Sequence, residues 1–400
     1  MSQQKLRVAD VLRCCWTAYN RTHRLPPFVA RTVNILLKCR TAVLGGHIYQ
    51  CDQCGSEVPL YNSCKNRNCP TCQNVEKEKW LARRLREVLP VPYYHTVFTL
   101  PHELNDLVNG NRRLLLDELF KTGKWVLQRF AHDPQWRLKG ELGMIAILHT
   151  WNQRLMQHFH VHYLIPGGVW REESEEFIVC KGNWLFKKSS LADAFRNRFI
   201  KRLRTLRASG KLDYPQCCCE LAEEQNWDAL LNKLKKTKWV VYPKRVPSTP
   251  EKALEYLARY THRIAISDYR IKQIENGCVT YTWRDRASPD GYARTSRADG
   301  NREKEECIPV EEFTKRFLQH VLPRGFKKIR FYGWMSNTKR KSMLPIIRRQ
   351  LEAEPPELHK KETAAQTILR RTGYDVTCCP NCKKGTLSKT TILLPKAQGP

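Results

Sequence analysis

The stretch Gln157-His158-Phe159-His160-Val161-His162-Tyr163-Leu164-Ile165-Pro166-Gly167-Gly168 constrains this chain more than any other. Its side chains alternate with a period of two, the pattern of a half-buried strand. Phe159, Val161, Tyr163 and Ile165 then face a core, and His158, His160 and His162 share the opposite face. Three imidazoles on one strand face, closed by Pro-Gly-Gly, form a platform for a divalent metal ion.

Spacing excludes two common chemistries of the His-x-His pair. A cupin-like site needs a glutamate a few residues further on, and the next acid is Glu172, beyond the glycine turn. A hydrolase of the H-x-H-x-D-H type needs an aspartate where this chain has His162 or Leu164.

The partner is indicated by charge. Lys and Arg number 70 against 39 Asp and Glu, a net charge of +31 over 400 residues. Such an excess implies a polyanion, nucleic acid first. The 11 Trp, 15 Tyr and 13 Phe add flat faces on which bases stack. No run of about 18 apolar residues is present and the N-terminus lacks a signal-peptide pattern, so a cytosolic protein without a membrane segment is expected.

In a reducing compartment, clustered cysteines indicate metal rather than disulfides. Of the 17 cysteines, Cys51 and Cys54 form one Cys-x-x-Cys knuckle and Cys69 and Cys72 a second. Four thiolates make a closed tetrahedral zinc site of structural type. Cys64 and His47 are alternatives: either could replace a knuckle member or help hold a second ion. Cys378-Cys379-Pro380-Asn381-Cys382 is a further knuckle with no obvious second half, and Cys217-Cys218-Cys219 has no ligand spacing.

Helical spacing predicts two short helices before Gly45-Gly46, a basic helix over 77–89, a long helix over 103–130 and a basic helix over 191–206. Strands are expected at 93–100, 144–149, the histidine stretch and 239–242, with a hairpin at 169–189. Together they predict an α+β domain with an antiparallel sheet. Thr249-Pro250-Glu251 is a helix start. In the helix that follows, Leu254, Leu257 and Ala258 share one face. Tyr256 and Tyr260, one turn apart, project from another face beside Arg259 and Arg263. The segment from Arg324 to Trp334 mixes cations, including Lys327, Lys328 and Arg330, with aromatics; that suits single-stranded DNA or an ordinary sheet edge. No G-x-x-x-x-G-K-[ST] loop occurs, so nucleotide hydrolysis is not supported.

Four segments taken together, YNSCKNRNCPTCQ, HFHVHYLIPGG, YLARYTHRIAIS and HVLPRGFKKIRFYGW, resemble the rolling-circle transposases of bacterial insertion sequences, the insertion sequence 91 family. These belong to the wider HUH (His-hydrophobic-His) nucleases. The resemblance implies a relaxase- or Rep-like antiparallel sheet flanked by helices and preceded by a small helical zinc-binding domain. The expected domains are 1–90 (helical and zinc-binding), 91–340 (catalytic, with the histidine pair and two tyrosines) and 341–400 (a basic tail with a candidate zinc knuckle). His160 and His162 match the pair that holds Mg²⁺ or Mn²⁺, and Tyr256 and Tyr260 match the two nucleophiles. His158 is either a third ligand or a contact to a DNA phosphate. Arg259, Arg263, Lys327, Lys328 and Arg330 are the expected DNA contacts.

A free phenol with a pKa of about 10 is only roughly 0.1% ionised at pH 7, so tyrosine attack on a phosphodiester needs metal assistance. The implied product is a 5′-phosphotyrosine link with a free 3′-OH, which stores the bond for rejoining. The implied partners are single-stranded transposon ends and target DNA, in the bacterial cytoplasm at the nucleoid. The competing expectations are a replication initiator or relaxase with the same chemistry, and a non-catalytic zinc-dependent DNA-binding regulator.

Overall fold

The computed structural model describes residues 6–136, 138–180, 182, 185–246, 249, 252, 254–255, 260–284, 303–354 and 363–395. Tyr256 and Arg259 lie outside the described residues. Helices α1 (Val8–Thr22) and α2 (Pro27–Leu37) lead into the hairpin of β1 (Gly46–Cys51) and β2 (Glu57–Tyr61), and α3 (Pro70–Leu85) follows. Strand β3 (Tyr93–Thr99), short helix α4 (Asn105–Gly110) and long helix α5 (Arg112–His132) come next. Strands β4 (Glu141–Leu142), β5 (Met144–Trp151), β6 (Gln157–Pro166), β7 (Gly168–Arg171) and β8 (Glu176–Val179) run in succession. Helices α6 (Lys188–Ala208) and α7 (Glu224–Lys236) precede β9 (Val241–Arg245). Later come β10 (Ile271–Glu275), β11 (Cys278–Arg284), β12 (Glu303–Pro309), α8 (Val310–Leu318) and β13 (Ile329–Tyr332). Helices α9 (Arg340–Gln350) and α10 (Ala364–Thr372) and strand β14 (Leu387–Leu393) complete the described elements.

The chain divides into two compact units that interleave along the sequence. One comprises Met1–Ala82, His262–Val321 and Glu357–Pro400; the other Arg83–Thr261 and Leu322–Pro356. This differs from boundaries at 90 and 340. The C-terminal segment is not a separate tail, because β14 pairs antiparallel with β1 from Gly46↔Leu393 to Cys51↔Leu387. Residues of the expected catalytic span join the N-terminal unit because α8 packs on α1, where the Cys15 thiol lies 3.1 Å from the Thr314 hydroxyl. Asp268 ties the same unit together: its carboxylate accepts from the Val8 backbone N–H at 2.9 Å and the Thr71 hydroxyl at 2.8 Å.

The other unit is built on a five-stranded sheet of order β13-β5-β6-β3-β9, in which every pairing is antiparallel. The alternation in β6 decides which face packs against the helices. Phe159, Val161, Tyr163 and Ile165 are all buried, as are Tyr94 and Phe98 of β3 and Ala146 and Leu148 of β5 on the same face. Apolar residues of α5 (Leu115, Leu119, Phe120, Val126) and α6 (Phe195, Phe199, Leu203) cover this face and share its core. A sheet covered on one side by helices gives the α+β architecture predicted from the sequence. The expected long helix over 103–130 is broken between α4 and α5, where Asn111 leaves helical geometry. There a Cβ on Gly110 would fall 2.9 Å from the Pro215 ring and 3.0 Å from the Cys218 sulfur, so close approach of that turn occupies the space a continuous side-chain row would need.

The fit between α5 and β6 is tight at Gly123. A Cβ there would stand 2.7 Å from the Tyr163 hydroxyl, which is fixed by donating to the Phe120 carbonyl at 2.8 Å. Gly123→Ala should therefore destabilise the protein by about 1–2 kcal/mol. Overpacking costs about 1–3 kcal/mol and outweighs the roughly 1 kcal/mol that alanine gains in a helix. A urea-denaturation midpoint equal to or above that of the parent would show that Tyr163 gives way.

Candidate active site and metal centres

The other face of the central sheet carries the histidines and is itself largely buried, with Ile145, Ile147, Leu164, His95, His149 and His162 all shielded from solvent. In the β5–β6 ladder His149 stands directly opposite His160, and in the β3–β6 ladder Val97 stands opposite His162 and Thr99 opposite His160. Residues directly opposite in antiparallel strands share a face, so His95, His149, His160 and His162 all lie on it. Donor atoms of His149, His160 and His162 fall within 4.8 Å of one another.

Backbone carbonyls set the tautomers of two of these rings. A carbonyl only accepts, so the 2.7 Å contact of His149 Nε2 with the Tyr260 carbonyl puts the proton of the neutral ring on Nε2 and leaves Nδ1 with its lone pair. By the same logic the 2.8 Å contact of His160 Nδ1 with the His158 carbonyl puts the proton of the neutral ring on Nδ1 and the lone pair on Nε2. His162 lies between two other rings. Its Nδ1 is 2.9 Å from His95 Nε2, and its Nε2 is 3.2 Å from His149 Nδ1. A cation at the cluster fits this arrangement: His162 Nδ1–H donates outward to His95, and the lone pairs of His162 Nε2 and His149 Nδ1 converge. Ligand orientation by a hydrogen bond on the far nitrogen is the usual support for a metal-bound histidine. Burial, aided by the charge of Lys244, pushes His95 down to about 3, so it remains a neutral partner.

Sequence reasoning placed His158 beside His160 and His162 as a possible third ligand, and the structure brings His149 there instead. His158 shares the strand face, with its ring centroid 4.8 Å from that of His160 and 5.7 Å from that of His102, but its nitrogens are not among the donor atoms that gather within 4.8 Å of one another. Burial lowers His158 to about 4, with His102 adding to the effect. His149 was visible only as the last residue of an apolar strand, and its identity as a site residue required the β5–β6 register.

Of the two tyrosines, Tyr260 is described and lies at the cluster. Its ring centroid is 4.5 Å from that of His162, 5.7 Å from His95 and 5.8 Å from His149. Among the expected DNA contacts, Arg263 falls in the other unit and Arg259 is outside the described residues. The Arg324–Trp334 segment supplies β13, the edge strand of the central sheet. Lys327 is exposed, and the Lys328 ammonium sits 5.0 Å from the ring centre of Trp151 on β5. Arg330 is turned into the protein: it pairs with Asp117 and stacks 4.0 Å over Phe120. It therefore acts as a framework residue in this structure rather than as an open cation. The basic helix α6 is partly committed in the same way, with Arg202 bonded to buried Glu118 at 2.9 Å and Arg198 4.4 Å over Trp125.

The cysteines form two groups, and neither is the expected set of Cys51, Cys54, Cys69 and Cys72. Cys69 and Cys72 meet Cys39 and Cys64, whereas Cys51 and Cys54 meet Cys379 and Cys382. The reason is topological. Cys51 ends β1, whose other neighbour is β14, and that pairing brings the C-terminal knuckle to the first one. In the first group Cys39 Sγ lies 3.6 Å from both Cys72 and Cys69, and Cys64 Sγ 3.7 Å from Cys72. Zn–S bonds of about 2.3 Å in a tetrahedron place sulfurs about 3.8 Å apart, so these separations suit zinc and are far too long for a disulfide. The crowded sulfurs also divide protons unequally: contact with Cys39 drives the Cys72 thiol down and the Cys69 thiol up. Cys64 was a named alternative in the sequence. Cys39 was missed because it stands alone after α2, with no second cysteine at knuckle spacing.

Comparison with known proteins gives two family matches. Residues 143–342 match a family model described as "Putative transposase", and residues 11–100 match one described as "Transposase zinc-binding domain". The chain is 36% identical over 393 residues to "Putative transposase y4qJ" of Sinorhizobium fredii, covering 97% of this chain and 95% of that protein. It is 27% identical over 348 residues to "Transposase for insertion sequence element IS801" of Pseudomonas savastanoi pv. phaseolicola, covering 86% and 78%.

The histidine geometry separates two variants. His149→Ala should weaken Mn²⁺ binding, measured by calorimetry, by at least about tenfold, since loss of an outer-sphere partner alone typically costs that much. His158→Ala should leave Mn²⁺ affinity within about twofold. The reverse order would return the third position to His158.

Proposed function

The chain belongs to the insertion sequence 91 family of transposases and carries its N-terminal zinc-binding domain; on that premise we propose that it nicks and rejoins single-stranded DNA at transposon ends through 5′-phosphotyrosine intermediates, the chemistry of rolling-circle transposition. The observation that carries this reading is the position of Tyr260 over the three-histidine cluster, with its ring 4.5 Å from that of His162. A nucleophile and a cation site on one sheet face are the two parts that cleavage of a phosphodiester requires.

In the proposed reaction the tyrosine oxygen forms a bond to the scissile phosphorus and the bond from phosphorus to the 3′ oxygen breaks. The phenolic proton passes to solvent or to a nearby base, and the departing 3′ oxygen ends as a hydroxyl. The DNA is left attached through its 5′ phosphate, and attack by a 3′-OH reverses the link without a nucleotide cofactor. When bound, a divalent ion would polarise the phosphate and stabilise charge on the leaving oxygen. Its ligands would be His149, His160 and His162. Imidazole donors favour borderline metals and phosphate oxygen favours hard ones, so Mn²⁺ suits the site at least as well as Mg²⁺. His95 holds the His162 ring in its coordinating orientation through the 2.9 Å contact.

Two tyrosines would allow two successive transfers, one holding the donor end while the other engages the target. Tyr256 is assigned this second role on the family motif alone. The strongly basic chain, at +31, supplies the attraction for DNA. Lys327 and Lys328 beside Trp151 offer a cation and stacking surface on β13 and β5. No helix among the described residues is long and apolar enough to cross a membrane.

A covalent-adduct assay tests the proposal. Labelled single strands from either side of the gene are incubated with protein and Mn²⁺ and resolved on a denaturing gel. A protein-linked label is expected, lost without metal or in His160→Ala and lost or redirected in Tyr256→Phe and Tyr260→Phe. Tight binding without an adduct on any strand would overturn the proposal in favour of a regulator that binds without cutting.

A further inference from the structure

We propose that Cys51, Cys54, Cys379 and Cys382 hold a structural zinc ion of their own, which clasps the C-terminal segment onto the N-terminal hairpin. The C-terminal pair lies outside both matched family regions, which end at residues 100 and 342. The inference is independent of the cleavage chemistry.

The geometry is that of a closed four-sulfur site. Cys51 Sγ stands 3.7 Å from Cys382 Sγ, and Cys54 Sγ 3.7 Å from Cys379 Sγ; all four sulfurs lie within 4.8 Å of one another. These distances match the roughly 3.8 Å edge of a zinc–sulfur tetrahedron. A disulfide needs about 2.05 Å, and all four cysteines are free. The site is built from two like halves. Each is a Cys-x-x-Cys turn whose backbone donates to a sulfur: Gln53 N–H to Cys51 at 3.4 Å and Gly385 N–H to Cys382 at 3.3 Å. N–H donors of this kind stabilise thiolate over thiol.

The surroundings are shaped for the junction as well. A Cβ on Gly385 would lie 2.3 Å from Cys51 Sγ, so only glycine lets the second turn approach the first. Asp52 bridges the two turns, accepting from the Thr386 N–H at 2.7 Å while its own N–H donates to the Thr386 carbonyl at 3.2 Å. Immediately beyond the turns the β1–β14 ladder begins at Cys51↔Leu387. Among the described residues β14 pairs with β1 alone, and most of its residues are exposed. Little apolar burial therefore holds the segment, which is fastened by the β1–β14 ladder and the sulfur cluster together.

The test counts metal on the full-length protein. Zinc per chain is measured by mass spectrometry for the parent and for Cys379→Ser/Cys382→Ser. Cobalt is then substituted and the thiolate-to-cobalt charge-transfer absorption is recorded, which the histidine site cannot produce. One zinc fewer per chain and about half the charge-transfer intensity are expected in the double variant. The remaining half comes from the Cys39 group and shows that the N-terminal module is still folded. Gly385→Ala, which keeps every sulfur, should weaken the same half of the signal. Trypsin should release the C-terminal segment faster from both variants. Unchanged zinc and unchanged cobalt absorption in Cys379→Ser/Cys382→Ser would overturn the proposal, as would loss of the entire cobalt signal with zinc stoichiometry falling from one to none.

Discussion

The register between β5 and β6 is the constraint on which the candidate active site depends. It sets His149 opposite His160 and Ile147 opposite His162, so a ligand from each strand reaches one point. A slip of one residue would turn the histidines into the core beneath α5 and α6 and move Val161 and Tyr163 to the face that now holds the histidines. The apolar face thus protects the polar one. Phe159, Val161, Tyr163 and Ile165 bury completely only in the register that assembles the histidines. Tyr163 adds direction, since its hydroxyl finds the Phe120 carbonyl only with β6 seated this way under α5.

The unit containing the N-terminus solves a different problem. Its elements are short, and it draws on three separated stretches of sequence. Its joints are accordingly specific polar or sulfur contacts: Asp268 between the starts of α1 and α3, Trp16 donating to Asn34 between α1 and α2, and the two cysteine groups. Contacts that close long loops restrict the unfolded chain most. The Cys51–Cys382 approach, spanning 331 residues, is the longest of these joints.

What could be read from the sequence follows from how far each signal reaches. The alternation in β6, the cysteine knuckles and the apolar faces of α1, α2 and α6 are local patterns, and each corresponds to an observed element. The pairing of knuckles is not local. Cys51 and Cys69 sit at an ordinary zinc-finger spacing, and nothing near them says that one answers to Cys382 and the other to Cys39. His149 was hidden for a similar reason: a single histidine closing an apolar strand becomes a site residue only through its neighbour across the ladder. The helix break at Asn111 sits beside Gly110, where Pro215 and Cys218, a hundred residues away in sequence, approach the backbone, a contact that no helical periodicity encodes. Arg330 reads as a DNA contact in sequence because a basic residue between aromatics has that composition, yet its partner Asp117 comes from α5.

Tyr260 acts on the site in two separable ways. Its ring lies against His162, and its backbone carbonyl accepts from His149 Nε2 at 2.7 Å. The second contact belongs to the main chain and so survives any substitution of the side chain. It also runs in the useful direction: by holding the His149 proton on Nε2, the segment that carries the proposed nucleophile keeps Nδ1 available to the ion that would activate its target. Ligand tautomer and nucleophile position are therefore set by one piece of backbone. A shift of that backbone would disturb both together, whereas a phenylalanine at this position keeps the main-chain contact that orients His149. That separation is what allows a phenylalanine at position 260 to report on the nucleophile rather than on the assembly of the site.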